Sequence, residues 1–401
     1  MFDTPSQMEP LFPGENKSLA ELAMKIYANA AELAGMLHPV TRKEIARLLR
    51  HINSYYSNRI EGEHTTPADI EKAVKSEYST DNDKKKLQIL SIAHIEIQTL
   101  IDELFEPGEE VNVCSPEFLC RIHEEFYNRV PESFLKIHHP GKNEIITMMP
   151  GKLRNENVVV GNHVPPKWET LSGFLKRFEE VYASTSLYGH KKLITAAASH
   201  HRLTWIHPFL DGNGRVSRLF TYAFMKNAGI DSHGLWTLSR GFARSADEYK
   251  RMLAAADSLR RGDYDGRGNL SEKALTEFCY FFFEIANDQI SFMKKLLSLD
   301  GLYSRIISYV TRRADNTIPD EKSLRLEAKY VLTEVMMRGE IPRGEVARLI
   351  GMGERTATDL IAQLLNEELV TSTSHRAPLQ FSVPAKVVGY YFPDLYPAGS
   401  I

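Results

Sequence analysis

Between His207 and Arg218 the chain places one imidazole, one carboxylate, a Gly-Asn-Gly turn and two guanidinium groups: His207-Pro208-Phe209-Leu210-Asp211-Gly212-Asn213-Gly214-Arg215-Val216-Ser217-Arg218. Glycines on both sides of Asn213 let the backbone turn with its N–H groups pointing one way. The helix that follows adds the positive end of its dipole, so the turn suits an anion. Arg215 and Arg218, spaced i and i+3, project beside that same end and bring forked donors to it. This is a di- or triphosphate site in outline. Asp211 would be repelled by such a ligand unless a cation came between them, which makes it a candidate Mg²⁺ ligand completed by phosphate oxygens and waters. His207 is the one ordinary near-neutral base of the group. A solvated turn with arginines capping nearby carbonyls would account for any one of these residues alone, but not for all of them in this order.

Two helices must hold this stretch. Lys191 to Ile206 is rich in Ala, Leu and Ile, and Pro208 ends it, because the residue before a proline is pushed out of the α region. His207 is therefore expected at a helix end. From Arg215 the apolar residues Val216, Leu219, Phe220, Ala223 and Phe224 recur at helical spacing, with Gly229 as a left-handed stop.

The run resembles the signature of the Fic family, His-x-Phe-x-Asp/Glu-Gly-Asn-Gly-Arg-x-x-Arg, and all its specified positions are present here. The resemblance implies a mainly α fold: a helical core with a small β-hairpin flap, joined in chains of this type to a C-terminal winged helix-turn-helix domain. It also implies transfer of AMP from Mg·ATP to a Ser, Thr or Tyr hydroxyl of a protein, with pyrophosphate released. His207 would then remove the hydroxyl proton and Asp211 would hold Mg²⁺. The Gly212-Asn213-Gly214 turn, with Asn213, would stabilise the α-phosphate, and Arg215 and Arg218 would bind the outer phosphates. Ser239 and Tyr249 fall in the region that lines the adenosine pocket in the family.

Upstream, Thr41-Arg42-Lys43-Glu44 has a capping-box pattern, and Ile45, Leu48, Leu49, Ile52, Tyr55, Tyr56 and Ile60 share one face of the helix it would start. That helix stops at Gly62. Ser57 and Glu61 are i and i+4 on one face. Glu61 is oddly placed, since a carboxylate in the last turn faces the negative end of the dipole. Ser57 to Gly62 is similar to the inhibitory pattern of Fic proteins, Ser/Thr-x-x-x-Glu-Gly/Asn. By that resemblance Glu61 pairs with Arg218 and obstructs placement of the ATP γ-phosphate.

Further helices are expected over Pro67 to Tyr78, Asp83 to Phe105, Ser115 to Val130, Lys167 to Ser184 and Leu270 to Leu299. Residues 149–166 read as a hairpin, the position of the family's flap, which holds the target by strand addition. His138 and His139 precede Pro140-Gly141 and read as loop. His190, His200 and His201 lack a carboxylate to complete a ligand set and read as structural. Beyond an interruption near 312–323, Gly344 to Ile350, a Gly351-Met352-Gly353 turn, Glu354 to Asn366 and a hairpin over Leu369 to Val383 resemble a winged helix-turn-helix. From Glu321 to Ile401 nine Lys and Arg face ten Asp and Glu, so this module is near neutral and DNA binding is not favoured. The organisation is thus a helical region over 1–110 with an inhibitory helix at 41–62, a catalytic core over 111–312 with flap 149–166 and motif 207–218, and a winged-helix-like domain over 321–390.

The chain has 401 residues, with 43% apolar and 25% charged, and a net charge of -3, so it is long enough for two or three domains and has no global pull toward nucleic acid or anionic membrane. Three cysteines without metal-ligand spacing point to reduced thiols in a cytoplasmic protein. No run of apolar residues suggests a membrane span or a secretory signal, and the first sixteen residues either wrap the fold or stay loose. No P-loop, dinucleotide fingerprint, HExxH or Cys-x-x-Cys competes with the motif. Two rival functions remain open. The same site could remove AMP, with Glu61 orienting a water, or move another phosphate-linked group; or the chain could be a transcriptional or scaffold protein that binds nucleotide as a regulatory ligand. Partners would be a hydroxyl-bearing protein, itself included, and a second copy in a homodimer.

Overall fold

The first backbone N–H groups of a helix have no partner inside it, and side-chain oxygens supply one at many helix starts here. The computed structural model describes residues 2–105, 111–138, 144–183 and 187–397. Asn16 caps α1 (Lys17–Ala34). Helix α2 (Pro39–Ile60) starts earlier than the Thr41 capping box predicts: Pro39 pre-organises the first turn, and a ring nitrogen of His38 accepts from Val40 N. Thr41 is instead buried one turn inside, donating to Met336 O at 2.8 Å. Thr66, Asp81 and Ser115 cap α3 (Pro67–Val74), α4 (Asn82–Leu104) and α5 (Pro116–Tyr127). Helix α3 is shorter than expected because Ser76 turns left-handed at φ 62°.

Strands β1 (Lys136–His138) and β2 (Ile145–Thr147) pair antiparallel, Lys136 opposite Thr147. His139 to Gly141 lie outside the described residues. The hairpin predicted over 149–166 does not form; that segment has only an isolated bridge between Val160 and His163. Its backbone is engaged elsewhere, as in Arg154 N to Pro208 O at 2.9 Å, and Pro150, Pro165 and Pro166 have no N–H to give a ladder.

The core follows: α6 (Leu171–Tyr182), α7 (His190–Ile206), α8 (Asn213–Asn227), α9 (Leu238–Arg244), α10 (Ala246–Ala256), α11 (Glu272–Leu296) and α12 (Leu299–Ala314). Helix α7 packs against α1, α6, α8 and α11, and is buried along most of its length. Its buried histidines and arginine are therefore bonded. His200 sits between Thr221 Oγ1 and Tyr249 OH, each at 2.7 Å, and His201 bonds Leu253 O at 3.1 Å. Arg202 donates to Pro10 O at 2.7 Å, and Phe2 packs on Trp205 at 4.7 Å, so the N-terminal stretch wraps the core.

Then come α13 (Ala328–Arg338), β3 (Glu340–Ile341), α14 (Val346–Ile350), α15 (Glu354–Asn366), β4 (Val370–Thr371), β5 (Leu379–Phe381) and α16 (Ala385–Tyr391), with the strands ordered β3-β5-β4. The expected helix, glycine turn, helix and hairpin are present; β3 and α16 are additions. The interruption after α12 is not a free linker. Buried Arg313 spans it, donating to Lys322 O at 2.7 Å and to Glu367 at 2.8 Å. The tail after α16 runs along α2, where Tyr56 OH donates to Leu395 O at 3.1 Å and Tyr55 meets Tyr396 edge-on at 5.2 Å. Helix α2 is thus enclosed by α4 and α9 on the core side and by α13, β5 and the tail on the other. Tyr396 is only 6% exposed. Tyr396→Ala should cost about 3 kcal/mol, as for other large buried rings, read as a lower urea midpoint followed by circular dichroism.

Candidate active site

Helix α7 ends where Pro208 requires it to end, and His207 caps it in left-handed backbone, φ 51° and ψ 62°. Its ring is hydrogen-bonded to the Thr204 carbonyl. Burial, then His163, and Arg154 more weakly, push its pKa down to about 4. At pH 7 the imidazole is neutral, with one nitrogen donating to a carbonyl and the other fitted to take a proton.

The loop from His207 to helix α8 is closed by its own asparagine. Asn213 accepts from Phe209 N at 2.9 Å and donates to Phe209 O at 2.8 Å. Its side chain is therefore engaged by the loop and is not aimed at a phosphate, so its part in anion binding falls to the backbone N–H. Gly212 has φ 78°, and a Cβ there would run into the Tyr127 hydroxyl. At Gly214 a Cβ would run into the Glu61 carboxylate. That contact locates Glu61: its carboxylate lies over the second residue of α8, in the anion seat itself.

Arg218 is gripped there from α2. Its Nε donates to Ser57 Oγ at 2.9 Å, and its Nη2 donates to Ser57 O at 3.1 Å and to Glu61 Oε1 at 2.6 Å. The side chain of Arg218 is 3% exposed and that of Glu61 31%. Burial works against the Glu61 charge, but Arg218 and then Arg215 outweigh it and hold the carboxyl below its ordinary value. The unfavourable placement at the end of α2 is relieved because the carboxylate leaves that terminus for the positive end of α8. Gly62, φ 86°, follows the end of α2 with its N–H donating to Arg59 O at 3.1 Å, and a Cβ there would meet open space.

Arg215 is also buried; its Nη1 donates to Tyr127 OH at 3.3 Å, and its Nε has no partner. Such an orphaned donor beside a helix N-terminus fits a phosphate. Asp211 is exposed, accepting from Gly212 N at 2.6 Å. Among the described residues no group of three or more His, Cys, Asp or Glu could hold a metal.

Ser239 lines a small recess together with Arg218, Asn53, Trp236 and Phe242. Tyr249 does not line it; the ring is stacked on Phe242 at 4.3 Å and its hydroxyl is bonded to His200. Two residues that no sequence signal marked complete the surroundings. His123 accepts from Gly151 N at 2.9 Å, meets Asp211 O at 3.3 Å and stacks on Phe209 at 4.0 Å. Arg154 donates to His207 O at 2.8 Å. A lone His in an amphipathic helix and a lone Arg in a Pro/Gly/Val stretch carry no spacing that points to a site.

The helical core thus brings together a helix N-terminus, two buried arginines and a neutral histidine, groups suited to a phosphate with a base beside it. Residues 113–225 match the family model described as Fic/DOC family. Over 98 residues it is 36% identical to a protein adenylyltransferase Fic of Aedes aegypti, and 34% identical over the same length to its namesake in Drosophila erecta. Each alignment covers 24% of this chain and 20% of the relative, so the chain spans about a fifth of the length of these relatives. Fic-1 from C. elegans shares the fold at a TM-score of 0.50 and 16% identity, over 69% of this chain and 72% of that one. Since burial depresses the imidazole, NMR titration of His207 should keep it neutral down to about pH 4, where an exposed histidine would protonate near 6.5.

Proposed function

We propose that this protein transfers AMP from ATP to a hydroxyl side chain of a protein and that Glu61 holds the reaction in check. The observation that carries this reading is the Glu61 carboxylate seated over Gly214 and bonded to Arg218, an anion in the place prepared for another anion. The printed names of the relatives, protein adenylyltransferases, support the choice of reaction.

In this reading ATP lies with its phosphates at the N-terminus of α8. The N–H groups there stabilise charge building on the α-phosphate, and Arg215 and Arg218 bind the outer phosphates. His207 takes the proton of the target hydroxyl as its oxygen attacks the α-phosphorus, and pyrophosphate leaves. Asp211 would hold Mg²⁺, which would offset phosphate charge. While Glu61 occupies Arg218, the γ-phosphate has no partner there and the α-phosphate is out of line for attack. The target segment is read to lie along residues 149–166, where Val159 and Val160 are exposed. We read the C-terminal unit as a winged helix that docks a protein. Arg343, one of its few cations, is spent on Ala377 O and Ser374 O, which does not favour a DNA surface. Free cysteines fit a reducing, cytoplasmic setting.

Purified protein and α-labelled ATP test the reading. Glu61→Gly should raise incorporation tenfold or more, which corresponds to roughly 1.4 kcal/mol of barrier, and Arg218→Ala in that background should lose the gain. His207→Ala in the same background should abolish incorporation while ATP still binds, because the base acts on the acceptor and not on the phosphates. Unchanged labelling in Glu61→Gly across several targets would remove the inhibitory role, and full labelling by the His207 variant would remove the base.

A further inference from the structure

Left-handed backbone costs a non-glycine residue roughly 1–2 kcal/mol and persists only where its surroundings over-determine it. His207 is such a residue, and it is the one whose ring the proposed chemistry needs. Arg154 supplies the restraint. Its Nε donates to His207 O at 2.8 Å and its backbone N to Pro208 O at 2.9 Å. The remaining guanidinium donors go to Glu156 O at 3.0 Å and Pro166 O at 2.5 Å.

The whole residue is 2% exposed, and each of these bonds ends on a carbonyl oxygen. Burying a guanidinium is costly, and burial pushes its pKa down to about 10, with Glu169 offsetting only part. For stability alone an apolar side chain of this size would serve as well. The arginine adds direction instead: a planar fork reaches three carbonyls from two separate chain segments at once, which a lysine cannot do. His123 makes the matching connection, accepting from Gly151 N and meeting Asp211 O. Residues 151–166 are therefore bonded to the motif loop at both ends, to Asp211 through one side chain and to His207 through the other.

The geometry points to Arg154 as the positioning residue for His207: it holds the base in its left-handed turn and sets its register against the segment 156–166. The role rests on the adenylyltransfer reading for the hydroxyl that the base would meet, but the restraint on the imidazole is independent of any substrate.

Arg154→Met and Arg154→Lys, each made in the Glu61→Gly background, test this with two readouts. Imidazole ¹⁵N spectra, with the His207 signal assigned by its loss in His207→Gln, should show one neutral tautomer in the Glu61→Gly protein and an average of two in Arg154→Met. In the same variant kcat for AMP transfer should fall on the order of a hundredfold, the scale of a displaced catalytic group, while KM for ATP stays within about twofold because the phosphate groups of the site are untouched. Arg154→Lys keeps the charge and a single directed bond, so it should fold as the parent does and recover only part of kcat. An unchanged tautomer in both variants overturns the proposal, as does a loss of kcat matched by equal losses of ATP affinity and folded protein. If even the Glu61→Gly protein transfers no AMP, the adenylyltransfer reading falls, and the imidazole spectra still decide the role of Arg154.

Discussion

The ion pair between Arg218 and Glu61 is the contact on which the arrangement of this protein turns. Arg218 projects from the first turns of α8, where backbone N–H groups and the helix dipole already favour negative charge. A carboxylate brought there from the end of α2 satisfies the guanidinium and fills the space left by the missing side chain of Gly214. Ser57 adds a hydroxyl and the free carbonyl of a last helical turn, so α2 closes on Arg218 with three acceptors. Removing the carboxylate would leave two of those acceptors and the space over Gly214 unfilled, the place that the proposed reading gives to a phosphate.

That contact needs α2 to be held in place, and much of the molecule serves this. Ser54 donates to Ser91 O on α4 at 2.9 Å, Thr41 to Met336 O on α13, and Tyr56 to the tail at Leu395. The segments that close around α2 come from both ends of the chain. On the opposite side α7 ends at His207, and the buried histidines and arginine of that helix are all satisfied, so His207 starts its loop from a firmly packed helix end.

The stretch from His207 to Arg218 was legible because it is local. Helix ends at Pro208 and Gly212, an i, i+3 arginine pair and a histidine one residue before a proline are all properties of neighbouring residues, and the structure has them where expected. The Asn213 amide differs, since its donor and acceptor close the loop on Phe209 instead of facing outward. The hairpin expected over 149–166 failed for a related reason. Three consecutive valines, 158–160, suggest a strand, but the backbone of this segment is bonded to Pro208 and bridges only at Val160 and His163.

By itself the sequence determined that the chain is mainly helical, which residues line one face, and where the glycine turn joins α7 to α8, while the ends of α2 and α3 fell a few residues from their local signals. Tertiary structure decided which distant groups meet that turn. Glu61 reaches Arg218 across 157 positions, Arg154 reaches His207 across 53, and Leu395 reaches Tyr56 across 339. Spacing along a helix orders groups within a few turns, because the backbone geometry there is regular. Groups on different elements are ordered only by how those elements pack, and neither a lone Arg nor a lone His carries a local mark of the carbonyl it will hold.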